Sequence, residues 1–472
     1  MPTTARTRTD ACPGVVSPHL AADGALARVR LPGGVITAGG LRAVAQLARD
    51  AGDGAAHLTS RGNLQLRGLD PGDPRPVRVL GGAGLLPSTT HERVRNVLAS
   101  PWSGIAGGIA DVRGLAADLD RGLCARPALA ALPGRFLFAL DDGRGDVAGE
   151  RPDVCWAATS PTAGELLVAG TGTGLICAPA DAPAVLLDAA AAFLDLRAEH
   201  AGDPETRAWR ARELPDAARR VAHALGGPFP AVDRASRPRR EQVSNVTAGS
   251  PTDLASQPRP RRGAKVTSGP SADPASRSRA QPGANVTAEP RPGGGPGASR
   301  AVGELGGGAV GAAPVLGELS ATQLEVLAGL APELIVTPWR TLVLPTPHDT
   351  AAVPDRLREA GLVVDPGHPA LRVGACAGRP GCAKSLADVR AHARELIAAG
   401  PARPVYVAGC GRRCGAPHTG HVDAVATGPD SYLVDGIPAR PAGIIDHSSV
   451  DHSSVDHGSV EPEHRTNQEG QR

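Results

Sequence analysis

Four of the eight cysteines in this 472-residue chain fall into two close pairs, Cys376 and Cys382 in CAGRPGC and Cys410 and Cys414 in CGRRC. Clustered thiols in a chain without a secretory leader serve as metal or cluster ligands, or as redox groups, more often than as disulfides. The opening MPTTARTRTDACPG contains no apolar segment of the signal-peptide kind, so a cytoplasmic protein is expected. The elements that carry the pairs can be read from pattern. Leu371 to Val373 is a short apolar strand; Ser385 starts a helix whose buried stripe is Leu386, Val389, Ala393, Leu396 and Ile397; Val405 to Val407 is a second strand. A helical crossover makes the two strands parallel and brings the loops that follow them to one sheet edge. The thiols of Cys376, Cys382, Cys410 and Cys414 therefore converge. Both spacings are wider than the CxxC turns of structural zinc sites, which favours a [4Fe-4S] cluster and leaves zinc as the competing occupant. Cys12, in DACPG, could lie near a site, whereas Cys124, Cys155 and Cys177 read as ordinary core residues.

A second set of polar residues sits in HLTSRGNLQLR. Arg61, Asn63, Gln65 and Arg67 alternate along one side of a strand, with Leu64 and Leu66 on the other. Guanidinium groups pair with carboxylates in bidentate fashion, so this face could clamp an anionic ligand. The chain as a whole offers no such bias: 50 Lys+Arg stand against 48 Asp+Glu, and almost all the bases are arginine. Neither nucleic acid nor an anionic membrane is an expected partner, and no run of about 18 apolar residues could span a bilayer.

At this length at least two domains are expected. Residues 231–312 lose apolar periodicity and contain related blocks beginning at Ala235, Ala255 and Ala275, which read as a disordered linker, with N-x-T triplets at Asn245 and Asn285. Residues 441–472 hold the DHSSV repeats and read as a disordered tail. The two remaining regions look like copies of each other. ADVR occurs in both, with Asp111 and Asp388, at nearly equal distances behind Thr59 and Thr337.

The combination of CxxxxxC and CxxxC with HLTSRGNLQLRGL and VRNVLASP resembles the sirohaem-dependent nitrite and sulfite reductase superfamily. Within it, CPG at Cys12, LPGRFLFALDDGRGDV, VTPWR and GCGRRCG are most similar to the precorrin-3B synthases. The resemblance implies an α+β fold of two pseudo-symmetric halves, each a ferredoxin-like half-domain (10–78 and 313–350) followed by an α/β domain (79–230 and 351–440). The second α/β domain would carry the cluster. It further implies an oxidoreductase of the monooxygenase type that hydroxylates precorrin-3A at C20 with γ-lactone formation, using dioxygen and an external electron donor, either an NADH-linked reductase or a ferredoxin. A mononuclear non-haem iron is implied beside the [4Fe-4S] cluster. Its ligands would include histidine, with His57, His91, His418 and His421 available. Arg95, Arg135 and Arg340 join Arg61, Asn63, Gln65 and Arg67 as candidate substrate-binding residues; no catalytic residue is assigned. A sirohaem reductase of sulfite or nitrite is the alternative, but Leu137 stands where the reductases carry a lysine. A binding or electron-transfer module without catalysis is the remaining possibility. Gly170 to Gly174, GTGTG, lacks the spacing of a nucleotide loop.

Overall fold

A computed structural model of the chain describes residue 10 and residues 12–199, 208–227, 301–418 and 420–449. The first half contains β1 (His19–Ala21), β2 (Gly24–Val29), β3 (Val35–Thr37), α1 (Ala38–Ala51), β4 (Ala55–Leu58), β5 (Leu64–Leu69) and α2 (Arg75–Gly82). It continues with β6 (Val97–Ala99), α3 (Arg113–Cys124), β7 (Phe138–Asp141), β8 (Val154–Ser160), β9 (Ala163–Val168), β10 (Thr171–Cys177), α4 (Ala182–Glu199) and α5 (Ala217–Ala224). The second half begins with β11 (Gly303–Gly306), β12 (Ala309–Ala312), β13 (Glu318–Ser320), α6 (Ala321–Leu330), β14 (Glu333–Val336), β15 (Leu342–Leu344) and α7 (Val353–Glu359). It ends with β16 (Val373–Ala375), α8 (Val389–Ala399), β17 (Val405–Ala408), β18 (Val422–Gly428), β19 (Ser431–Val434), β20 (Ile437–Ala439) and α9 (Gly443–Ser449).

The strands form four sheets, two of each kind. The ferredoxin-like sheets run β1-β2-β5-β4-β13 and β11-β12-β15-β14-β3, so each half lends its third strand to the other half's sheet. Pairing is antiparallel at both exchanges, Leu319 against Ala56 and Ile36 against Leu334. Each lent strand ends in a helix cap: the Thr37 hydroxyl accepts from the Gly40 N–H, and Ser320 forms a capping box with Gln323. The helices started there, α1 and α6, pack on each other. Leu41, Val44 and Leu47 of one and Leu324 and Leu327 of the other belong to a single apolar cluster drawn from both halves. Burying each such side chain contributes about 1.5–3 kcal/mol, so this shared layer is where the halves are joined.

The other two sheets are likewise copies. β6, β7 and β8 are parallel and continue into antiparallel β9 and β10; β16, β17 and β18 are parallel and continue into antiparallel β19 and β20. Even the hairpin turns agree: Thr59 N–H donates to the Asn63 carbonyl and Thr337 N–H to the Thr341 carbonyl, both at 2.9 Å. The left-handed position of that turn holds Gly62 (φ 62°) in one copy and Arg340 (φ 58°) in the other.

Several sequence boundaries shift. Residues 303–312, assigned above to the linker, are the paired strands β11 and β12, whose alternation is masked by glycine and alanine. Leu80 and Leu86, and Val353, Leu357 and Leu362 in the second half, join the shared cluster. The tail includes α9 as far as Ser449, with Ile444 buried against the α8 layer; the remaining repeats lie outside the described residues. The α8 cap is Asp388, which accepts from Ala391 N–H, rather than Ser385, and Leu386 is exposed rather than part of the stripe. In the GTGTG segment, Thr171 to Gly174 open strand β10. Among the described residues no helix is long and apolar enough to cross a membrane.

Candidate functional site

β16 and β17 lie parallel and in register from Val373 opposite Val405 to Ala375 opposite Val407, so the segments after them start side by side. Cys376 follows the first strand, and its sulfur accepts a 3.2 Å hydrogen bond from Gly409 N–H at the end of the second. Cys382, Cys410 and Cys414 occupy the two loops. Burial pushes the Cys414 thiol up, Arg412 opposes this, and Cys376, Cys410 and Cys382 push it further. The four sulfurs thus lie within electrostatic reach of one another. Among the described residues no three of these thiols come within 4.8 Å of each other. Four thiols on two loops at one sheet edge are a donor set that zinc or an iron-sulfur cluster can take. The Tyr406 hydroxyl braces the site by donating to the Cys414 carbonyl.

A second concentration of function-bearing groups is built on β2 and the β4–β5 turn. Arg28 and Arg30 stand two residues apart, and Arg30 is 2% exposed. Arg30 donates through Nε and one terminal nitrogen to the Arg93 carbonyl and to that of Pro13, while its other terminal nitrogen is buried without a partner. Arg28 Nε, one Arg61 terminal nitrogen, Arg93 Nε and Asn63 Nδ2 are also buried and unpaired. Burial lowers the Arg28 guanidinium and depresses Arg30 well below the usual value; Cys12 opposes both. Arg61 falls to about 10, through burial first and the neighbouring Arg210 second. A buried unpaired N–H costs about 1–3 kcal/mol, more when charged, so a cluster of several is a candidate for satisfaction by anionic acceptors.

Comparison with known proteins accords with this architecture. Residues 19–78 match the nitrite/sulfite reductase ferredoxin-like half domain. The NirA protein of Mycobacterium tuberculosis superposes with a TM-score of 0.62 at 19% identity, over 89% of this chain and 79% of that one. The chain has a nitrite/sulfite reductase-like fold. Curated relatives with this likeness include a ferredoxin–nitrite reductase of Leptolyngbya laminosa, 36% identical over 121 residues, 24% of each chain. A precorrin-3B synthase of a Sinorhizobium species is 32% identical over 176 residues, 36% of this chain and 37% of the relative. These matches span only about a quarter to about a third of the curated relatives' length.

Within the nitrite/sulfite reductase-like fold, the sequence-derived arginines separate into two groups. Arg61 belongs to the unpaired pocket, donating to the Arg135 carbonyl at 3.0 Å, and the Arg135 guanidinium stacks 5.0 Å from the Trp209 ring. Asn63 is divided: Oδ1 accepts from Leu31 N–H at 2.8 Å and Nδ2 remains unpaired. Gln65 accepts from Arg28. Arg67 and Arg95, by contrast, are occupied. Arg67 makes a two-pronged ion pair with Asp23 and donates to the Gly381 carbonyl inside the cysteine loop. Arg95, 3% exposed, is clamped by Asp120 at 2.7 Å on both prongs. In this structure both guanidinium groups are held by these partners. Arg340 donates to the Gly415 carbonyl at 2.7 Å, beside the last cysteine.

The four histidines do not assemble. His57 pairs with Asp53, His91 with Ser88, Thr90 and the Arg126 carbonyl, and His421 packs edge-on to Tyr406. His418 is held below its usual value by burial and by the charges of Arg151, Arg212 and Arg210. Reading HLTSRGNLQLR alone misses Arg28, Arg30, Arg93 and Arg210; the alternation ARVRL was the available signal for the first two.

Proposed function

We propose that the protein is a precorrin-3B synthase, inserting one atom of dioxygen into precorrin-3A as the C20 hydroxyl while a ring acetate closes to a γ-lactone. The second oxygen atom leaves as water, with two electrons and two protons from an external donor. The observation that carries the reading is the set of buried, unpaired guanidinium and amide N–H groups on Arg28, Arg30, Arg61 and Asn63. A flat ligand bearing several carboxylates satisfies many such donors at once. The local likeness to a curated precorrin-3B synthase supports the same choice.

Cys376, Cys382, Cys410 and Cys414 fit a [4Fe-4S] cluster, which when bound supplies one-electron relay. Arg67 and Arg340 hold the backbone of its loops through Gly381 and Gly415. Reduction of sulfite or nitrite is the second reading, favoured by the nitrite reductase relatives. Against it, Leu137 is 2% exposed among Leu98, Ala139, Val147 and Cys155, so this position gives the pocket no cation. Non-haem iron remains an expectation without a histidine ligand set.

Anaerobically purified protein given precorrin-3A, dioxygen and a two-electron donor should yield a product heavier by one oxygen atom, and Cys410→Ser should abolish cluster absorption and turnover together. Bound isobacteriochlorin with turnover of nitrite or sulfite instead would replace this reading with the reductase.

A further inference from the structure

Cys12 stands apart from the other three cysteines outside the two loops. Burial pushes the thiols of Cys124, Cys155 and Cys177 up, and the carboxylates of Asp120, Asp141 and Asp181 respectively add to it. Cys12 is half-buried. It acts on the Arg28 guanidinium both as a charge and as a hydrogen-bonding side chain, and on Arg30 and Arg61 as a charge. Its place is fixed by packing. A Cβ on Gly134 would come 2.7 Å from Cys12 Cβ, so glycine at that position gives the close approach. Cys12 N–H donates to Asp10 Oδ1 at 3.2 Å, and Arg93 answers Asp10, donating to its carbonyl at 2.7 Å with the carboxylate 3.8 Å away. Just beyond, the Glu92 carboxylate accepts from Val15, Val16 and Ser17 N–H.

Unsatisfied donors gather at this position. Arg30 is 2% exposed; one of its terminal nitrogens donates to the carbonyl of Pro13, the residue after Cys12, and the other has no partner. Arg28 Nε and one Arg61 terminal nitrogen are buried and unpaired as well. Buried donors of this kind are satisfied by an added oxygen acceptor. The sulfur of a thiol is a weak acceptor, and an oxygen bonded to it is a stronger one. Partly exposed thiols in electropositive surroundings are also the ones that oxidants attack.

We propose that Cys12 is a reversible oxidation site, converted by hydrogen peroxide to a sulfenic acid whose oxygen accepts from the unpaired N–H groups of Arg28 and Arg30. The sulfur attacks one peroxide oxygen: an S–O bond forms, the O–O bond breaks, and the sulfur gives up two electrons. The departing oxygen takes the thiol proton and leaves as water. A small free thiol then condenses with the sulfenic acid to a mixed disulfide and water, and a second thiol molecule restores Cys12 by exchange. The oxygen on Cys12 takes donors that a ligand carboxylate would otherwise use. The inference rests on the geometry of the arginine cluster and needs no tetrapyrrole.

The test is one equivalent of hydrogen peroxide added anaerobically to the full-length, metal-loaded protein, with dimedone as the sulfenic acid trap and peptide mass spectrometry as the readout. Cys12 should carry about tenfold more adduct than Cys124, Cys155 or Cys177, and Arg28→Met should cut the Cys12 adduct about tenfold while leaving the others unchanged. Glutathione added before the trap should prevent the adduct. Equal labelling of these cysteines, an adduct that glutathione does not prevent, or an undiminished Cys12 adduct in Arg28→Met each overturns the site. If the variant does not fold, the charge of an alkylating reagent decides on wild type. Iodoacetate should modify Cys12 faster than iodoacetamide does, because the guanidinium groups draw its carboxylate in, and Cys124 beside Asp120 should show the reverse order. The same order at both cysteines overturns the site.

Discussion

Arg30 concentrates the tension in the arginine pocket. Its guanidinium is almost wholly removed from water, receives no carboxylate, and spends its bonded nitrogens on the carbonyls of Arg93 and Pro13. A buried charge without a counter-charge is unfavourable for folding, and an apolar residue of similar volume relieves it. Arg30→Met should therefore leave the unfolding temperature unchanged or raised. Binding should suffer the opposite way: a hydrogen bond to a charged group contributes about 1.5–3 kcal/mol, so KM for a polycarboxylate substrate should rise about 10–100-fold. Calorimetry and steady-state kinetics on the same preparation check both signs; a fallen unfolding temperature with unchanged KM would make Arg30 a brace. The pocket was only half legible in the sequence. Arg61 and Asn63 stood out by alternation, but Arg67 and Arg95 shared the same outward signs. What separates them is an acid 44 residues away, Asp23, and another 25 away, Asp120, and ion pairs between remote segments leave no local pattern. The convergence of the two cysteine loops at one sheet edge was legible because it follows from the parallel pairing of the strands before them.

Among elements, the loop from Cys376 to Cys382 depends on the other half of the chain. Arg67, on β5, grips Asp23 with two prongs and reaches the Gly381 carbonyl with the same guanidinium. Its side chain is 7% exposed and that of Asp23 22%, so cutting it leaves a partly buried carboxylate unpaired and frees the loop. Arg67→Ala should destabilise the protein by about 2–4 kcal/mol and lower the cluster absorption per chain, with Arg67→Lys recovering only part because a single ammonium cannot hold both partners. Denaturant unfolding and iron content measured together would show this; full iron content in Arg67→Ala would sever the coupling. The crossover around the cysteines was readable as strand, helix, strand because parallel pairing follows from the connection alone. The exchange of β3 and β13 was not, since VIT and ELS are three-residue strands whose pairing is set by which sheet edge they meet.

At the scale of the molecule, duplication with exchange makes the two halves a single folding problem. Leu41, Val44 and Ile36 from one half share their layer with Leu319, Leu324 and Leu334 from the other, so neither ferredoxin-like sheet is complete alone. Connectivity between the halves needs only to let β11 and β13 find their places. Removing residues 235–294 leaves thirteen residues between Gly227 and Ala301, which at full extension reach about 43 Å. Loop-closure cost changes slowly with length, by about 0.6 kcal/mol per doubling, and a shorter connection lowers it. The deletion variant should therefore remain soluble, keep its iron content, and unfold at the same denaturant midpoint or slightly above it. Under the proposed function, its rate of tetrapyrrole turnover should match the full chain. A variant that folds and loads iron but turns over slowly would assign the repeat blocks at Ala235, Ala255 and Ala275 a part in catalysis, whereas insoluble protein would assign them a part in joining the halves.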